Sequence, residues 1–127
     1  MSNTRNAIAW FAIPVVDLER ARAFYCAMLG IDGMEDMETP NGTCALFPFS
    51  EGGVGGSLNP FMGFKPTADS GVTVWLKAGE DLQEALDRVP DAGGKILQEK
   101  TPISDEYGFM AMILDTEGNR IGLHSKN

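Results

Sequence analysis

The chain has one histidine, His124, and two cysteines, Cys26 and Cys44, so few groups are available for reaction chemistry. An unperturbed imidazole titrates near neutral pH, which suits His124 to act as a general base or to hydrogen-bond a ligand. The competing reading is a partly exposed residue near the end of the chain that satisfies a backbone carbonyl. No partner that would tune it stands beside it in the sequence. A Cys44–His124 nucleophile pair can be drawn, but it needs hydrogen-bond reach and an orienting third group. The cysteines show no CxxC spacing and no dense framework, which points to two reduced, buried thiols. Tyr107 could offer a hydroxyl to a site or stand on its rim. Gly52 to Gly56 resembles a phosphate loop only in its glycines. It lacks the following Lys-Ser/Thr and runs into Asn59-Pro60 rather than a helix, so small side chains there leave room for a ligand or a neighbouring backbone.

The elements that would position these groups are written around the stretch WFAIPVVDLERARAFYCAMLG, Trp10 to Gly30. Trp10 to Val16 has strand composition. Asp17 is a helix N-cap, Leu18, Ala21, Phe24, Tyr25, Met28 and Leu29 recur at helical spacing, and Gly30 suits a left-handed C-cap. The pattern returns 64 residues later, where Val72 to Lys77, Asp81, Leu82, Ala85 and Gly94 repeat strand, cap, helix and stop. In the first half, Ile31 to Glu38, Thr43 to Phe49 and the glycine-rich run to Leu58 read as strands, with Asn41-Gly42 as a hairpin turn. The second half continues with Lys95 to Lys100, Gly108 to Leu114 and Arg120 to Ser125. Pro90 predicts that the second helix kinks or ends near Arg88. Phe61, Met62 and Phe64 are apolar for a free linker and are expected to pack on something. Each half therefore spells βαβββ, in a single domain of 1–127 with halves at about 7–60 and 70–126. Both alternating sets of Phe109 to Leu114 are apolar, so one face belongs under the helices and the other lines a sheltered concavity or a subunit contact.

The net charge of −8 and the pI of about 4.5 argue against nucleic acid or an anionic membrane as the main partner. That charge would suit a cationic ligand or serve solubility alone. No stretch approaches the roughly 18 apolar residues of a membrane span. Pro14 interrupts the short apolar run before DLER, so a signal peptide is not expected and the cytoplasm is the expected location.

The strand followed by DLERARAFY…LG, the GGVGG strand, DLQEAL…AGGK and the DTEGNRIGLHS ending resemble the vicinal oxygen chelate superfamily. This is the glyoxalase, bleomycin-resistance and extradiol dioxygenase group, and the likeness is to its uncharacterised glyoxalase-related branch. The resemblance implies an α+β fold in which paired βαβββ modules form a curled mixed sheet, a cup, with helices on the convex side. It also implies a homodimer, in some members with modules exchanged between chains.

Metal-dependent members take ligands from the first and last strands of each module. Carried over by position, these fall on Trp10, within Gly55 to Leu58 where only Ser57 is a poor candidate, near Thr73 or Val74, and on Gly122. A divalent ion needs three or four converging N, O or S donors, so no metal and no cofactor is expected. Trp10 would instead set an aromatic wall in the cavity or fill space as a core residue. The expected cup is apolar, walled by Trp10, Phe47, Leu58, Met110 and Met112, and its partner is a small molecule. Lyase or isomerase chemistry on a small carbonyl compound, with His124 moving a proton, is one expectation. Capture of a cationic or aromatic compound without reaction is the other.

Overall fold

Two aspartates start the two helices. Asp17 accepts a hydrogen bond from the Arg20 amide at the head of α1 (Leu18–Leu29), and Asp81 accepts one from Gln83 at the head of α2 (Leu82–Ala92). Gly30 closes α1 in the left-handed conformation at φ 69°. Around them the strands are β1 (Trp10–Pro14), β2 (Glu35–Thr39), β3 (Gly42–Leu46) and β4 (Gly55–Asn59), then β5 (Trp75–Lys77), β6 (Lys95–Ser104), β7 (Gly108–Leu114) and β8 (Arg120–Ser125). These come from a computed structural model that describes residues 7–61, 63 and 65–127. Met62 and Phe64 lie outside the described residues. Phe61 is half-buried against the hairpin glycine Gly42, where a Cβ would come within 3.0 Å of its ring.

Each half is βαβββ, and the fold is α+β as expected. The strands bond as two four-stranded mixed sheets, β1-β4-β3-β2 and β5-β8-β7-β6. In each sheet the strand before the helix runs parallel to the last strand of its half. One expectation needs correcting, because α2 does not stop at Arg88 but continues through Pro90 to Ala92. Pro90 falls in the last turn, where its missing N–H costs a single helix bond. The amides of Gly93 and Gly94 then satisfy the terminal carbonyls of Pro90 and Val89.

The helices pack against each other as well as on their own sheets. Phe24, Tyr25 and Met28 of α1 and Leu82, Leu86 and Val89 of α2 share one buried cluster with Ile13, Leu58, Ala111, Ile113, Ile121 and Leu123 from the sheets. Arg88 of α2 donates its Nε to the Met28 carbonyl at 3.0 Å. Gly94 lies against the Phe24 ring so closely that a Cβ would fall 2.7 Å from Cε1.

The turn between β7 and β8 ties the halves together. Glu117 Oε1 accepts from the amides of Val16 and Asp17 at 2.8 Å each, and Oε2 accepts from Arg20 Nε at 2.7 Å. The carboxylate thus caps the N-terminus of α1, where unpaired amides and the helix dipole favour negative charge. Beside it the Tyr25 hydroxyl donates to Asp115 Oδ2 at 2.6 Å, and Asn119 Nδ2 donates to the Pro14 carbonyl at 2.8 Å. Burial and the facing Asp115 push the Tyr25 hydroxyl well above its usual range.

Burial alone would raise the Glu117 carboxyl. The bonds from Arg20, the Asp17 and Val16 amides and Thr116 outweigh it and hold the group at about 2. A carboxyl lowered on folding adds stability above its unfolded value of 4.5, and that stability is lost as pH falls towards 2. Each tenfold gain in acidity on folding is worth about 1.4 kcal/mol, so Glu117→Gln should cost about 3 kcal/mol at neutral pH. Its denaturant midpoint should also fall less steeply than the parent's over that acid range. Parallel acid curves for the two proteins would remove this role.

Candidate functional site

Alternation along each strand decides which side chains meet the helices. On β1, Phe11 and Ile13 face inward while Trp10 and Ala12 face outward, and on β8, Ile121 and Leu123 face inward while Gly122 and His124 face outward. Of the candidate site residues, the outward faces of the two sheets hold Trp10, Met110, Met112 and His124.

Trp10 pairs in register with Gly55, and Trp75 pairs in register with Gly122. In both places the indole lies over the glycine. A Cβ on Gly55 would come 2.6 Å from Trp10 Cζ3, and one on Gly122 would come 2.1, 2.4 and 2.6 Å from Cε3, Cδ2 and Cζ3 of Trp75. An edge-on ring would hold one atom much nearer than its neighbours. The narrow spread at Trp75 means that the ring lies with its face on the glycine. Neither glycine has a positive φ, so each is needed for the space above it and not for its backbone. The two indoles remain 41% and 46% exposed. The sequence expectation for the fifth strand, Thr73 or Val74, is corrected to Trp75. The link from strand to cap is one residue shorter in the second half, from Trp75 to Asp81 against Trp10 to Asp17, and a fixed offset of 64 misses it.

Trp10 is held by its surroundings. Its Nε1 donates to Ser57 Oγ at 3.1 Å, Ser57 donates on to Asn59 Oδ1 at 2.7 Å, and Phe49 meets its ring edge-to-face at 5.9 Å between centroids. Next to Phe49 an open depression of about 340 Å³ is bordered by Gly33, Glu35, Leu46, Phe47, Pro48 and Phe49.

The expected cup wall is only partly assembled on one surface. Leu58 is fully buried among the core side chains, and the Phe47 ring packs on Tyr25 and Phe11. Leu58 sits at an inward position of β4, and Phe47, just past the end of β3, turns its ring into the core, so it reaches the depression only at its border. Met110 and Met112 face outward, on the second sheet, where they pair in register with His124 and Gly122. Trp10 faces outward on the first.

His124 Nε2 donates to the Tyr107 carbonyl at 2.5 Å, since a carbonyl can only accept. That bond commits one ring nitrogen and leaves Nδ1 without a hydrogen bond among the described residues. Cys44 is buried on the first sheet and His124 stands on the second, so the structure does not bring that pair together. Cys26 is half-buried on α1, and burial raises its thiol above the ordinary range. Tyr107 is exposed at the β6–β7 turn.

The positions at which the sequence resemblance would place metal ligands are Trp10, the stretch Gly55 to Leu58, Trp75 in place of Thr73 or Val74, and Gly122, and the one coordinating side-chain atom they offer is the Ser57 hydroxyl. Ser57, the poor candidate, already spends its hydroxyl on Trp10 and Asn59. Among the described residues no three His, Cys, Asp or Glu side chains converge on one point. The residues present do not fit a metal centre of that kind. No helix among the described residues is long and apolar enough to cross a membrane.

The family model described as the Glyoxalase/Bleomycin resistance protein/Dioxygenase superfamily matches residues 7–123. A Synechocystis sp. protein named "Probable lactoylglutathione lyase" is 28% identical over 116 residues, covering 87% of this chain and 88% of its own. The crystal structure of a glyoxalase/bleomycin resistance protein from Streptomyces sp. CB03234 superposes with a TM-score of 0.68 at 24% identity, covering 94% of this chain and all of that one. An antibiotic binding protein from the same organism superposes with a TM-score of 0.65 at 21% identity, covering 96% and 97%.

Gly122→Ala would set a methyl 2.1 Å from Trp75 Cε3. The indole should swing into water, with a red shift of tryptophan emission, stronger acrylamide quenching and a stability loss of about 1 kcal/mol. Unchanged emission would mean that the ring is not held on the glycine.

Proposed function

The chain belongs to the Glyoxalase/Bleomycin resistance protein/Dioxygenase superfamily, and from that we propose that it is a metal-independent member that binds a small aromatic molecule without transforming it. One observation carries the reading. Two tryptophan-on-glycine pairs stand where the resemblance would place metal ligands, each leaving an indole partly exposed on an outward sheet face. Such a surface can stack a planar ring. The depression bordered by Leu46, Pro48 and Phe49, whose ring meets Trp10, gives the ligand further apolar contact on the first sheet. The Streptomyces antibiotic binding protein of similar fold supports capture as a role.

The lyase reading, favoured by the name of the Synechocystis relative, has less to stand on. It would need His124 to move a proton. That ring has one nitrogen bonded to a backbone carbonyl and makes no hydrogen bond to a carboxylate among the described residues. Catalytic use of His124 therefore lacks the orienting acid that such a base uses. The proposal includes a homodimer, in which a second copy shelters an outward face that a single chain leaves open to water.

Protein purified without a histidine tag should carry substoichiometric nickel, zinc and manganese, and its melting temperature should not fall with chelator. A screen of small aromatic compounds should raise the melting temperature by mass action, and the ligand should be recovered intact. Trp10→Ala should weaken binding of at least one such ligand about tenfold, the loss of one well-placed aromatic contact. Stoichiometric metal whose removal abolishes ligand binding would overturn the proposal.

A further inference from the structure

We propose that the outward face of the second sheet binds a planar aromatic anion, its ring stacked on Trp75 and its carboxylate or equivalent group met by Lys77. This rests on the reading of the protein as a small-molecule binder and names the ligand class. It departs from what the overall charge suggests, since a chain of net −8 would suit a cation.

The argument lies in the register of β5 and β8. Trp75 pairs with Gly122 and Lys77 with His124, and two residues before β5 the Arg120 guanidinium donates to Thr73 Oγ1 at 3.0 Å. On this face Trp75 on its glycine is therefore flanked by Lys77, the next same-face residue of the ladder, and by the Arg120 guanidinium, held by Thr73 on the side before β5. On the neighbouring strand the outward positions opposite Arg120, Gly122 and His124 are Leu114, Met112 and Met110. None of these nine positions is Asp or Glu, although the chain has eighteen such residues. Asp105 and Glu106 belong to the β6–β7 turn beyond His124, on the side away from Trp75. Lys77 is exposed and makes no ion pair among the described residues, whereas Lys100 pairs with Asp81.

The outward face of the first sheet has the opposite sign. There Glu35 stands opposite Leu46, and Trp10, Ala12, Pro14, Ser57 and Asn59 bring no cation. The contrast assigns the anion to the second sheet.

Geometry limits the ligand further. The Trp75 ring has one face on Gly122, so only its other face is free, and the glycine holds it parallel to the sheet. A ligand ring laid on it is bordered by Met112 on one side. Same-face neighbours on a strand are about 7 Å apart, so the Lys77 ammonium can reach a charged group at the end of a one- or two-ring system centred on Trp75. Arg120 is more constrained, with one nitrogen bonded to the Ala68 carbonyl and another to Thr73. Its Nε is buried without a partner, so the guanidinium contributes field rather than a fork-shaped grip.

The test uses three probes of one shape, naphthoate, naphthylmethanol and naphthylmethylammonium, followed by calorimetry and tryptophan quenching on the intact chain. Naphthoate should bind about tenfold more tightly than the neutral probe and the cation more weakly still, a charge-assisted contribution of ordinary size. Lys77→Gln should remove most of that preference while leaving binding of the neutral probe within about twofold. Trp75→Ala should abolish naphthoate binding and Trp75→Phe should retain it, with melting temperatures showing that both variants fold. Equal or tighter binding of the cation, or a preference that survives Lys77→Gln, overturns the anion assignment and leaves the binding reading intact. Naphthoate binding that persists in Trp75→Ala also overturns it. If no probe binds, and no wider aromatic panel does, both fail together.

Discussion

The placement of the Glu117 carboxylate decides how the two halves of the chain meet. It comes from the last turn of the second half and accepts from amides at the start of the first helix, while Arg20 closes it from the other side. An ion whose side chain has no exposure is tolerated only when its lone pairs are fully used, and here they are. Tyr25–Asp115 and Asn119–Pro14 extend the same junction. These bonds hold the turn against the β1–α1 corner, the apolar cluster packs the two helices together, and each sheet turns its other face away from them. The exposed indoles follow from that arrangement: a residue on the outward side of β1 or β5 has no helix to cover it.

Much of this is legible in the chain. The caps at Asp17 and Asp81, the glycine stop at Gly30 and the two βαβββ halves are local signals that the tertiary structure leaves unopposed. The strand limits of Gly108–Leu114 and Arg120–Ser125 can be read directly, because alternation and the turn at Asp115–Asn119 agree. The helix through Pro90 is not legible. Its continuation depends on the amides of Gly93 and Gly94 reaching back, and no propensity encodes that. The junction at Glu117 is also hidden. In the sequence Glu117 is one more acid in a polar turn, and only the fold sets Arg20 and two helix amides around it.

The site is half legible. Trp10 stands out because its position is fixed by distance from Asp17. Trp75 does not, because a one-residue difference in the strand-to-cap link moves the repeat out of step. Hydrophobicity alone assigns Phe47 and Leu58 to the cup, yet a strand buried on its inner face uses such residues there first. Which face a strand residue occupies depends on parity, and parity cannot be counted until one residue on the strand is placed.

Parity also explains why each tryptophan and its glycine act as one unit. A glycine at 122 beneath a small neighbour would leave a strip of strand backbone open to water. A tryptophan at 75 beside any residue with a Cβ would be pushed off the sheet, since that carbon would fall inside the ring's contact distance. Together they make a flat, stiff surface from two residues that each weaken or clutter a strand alone. A carboxylate at 122 would meet the same obstacle and would also be held under an indole with no cation in register, at the cost of burying charge. The residues that make this surface therefore exclude ligation at the same positions. In physical terms the want of a coordinating side chain at Trp10, Gly55, Trp75 and Gly122 and the exposure of the two indoles are one feature of the sheet, present twice in the chain.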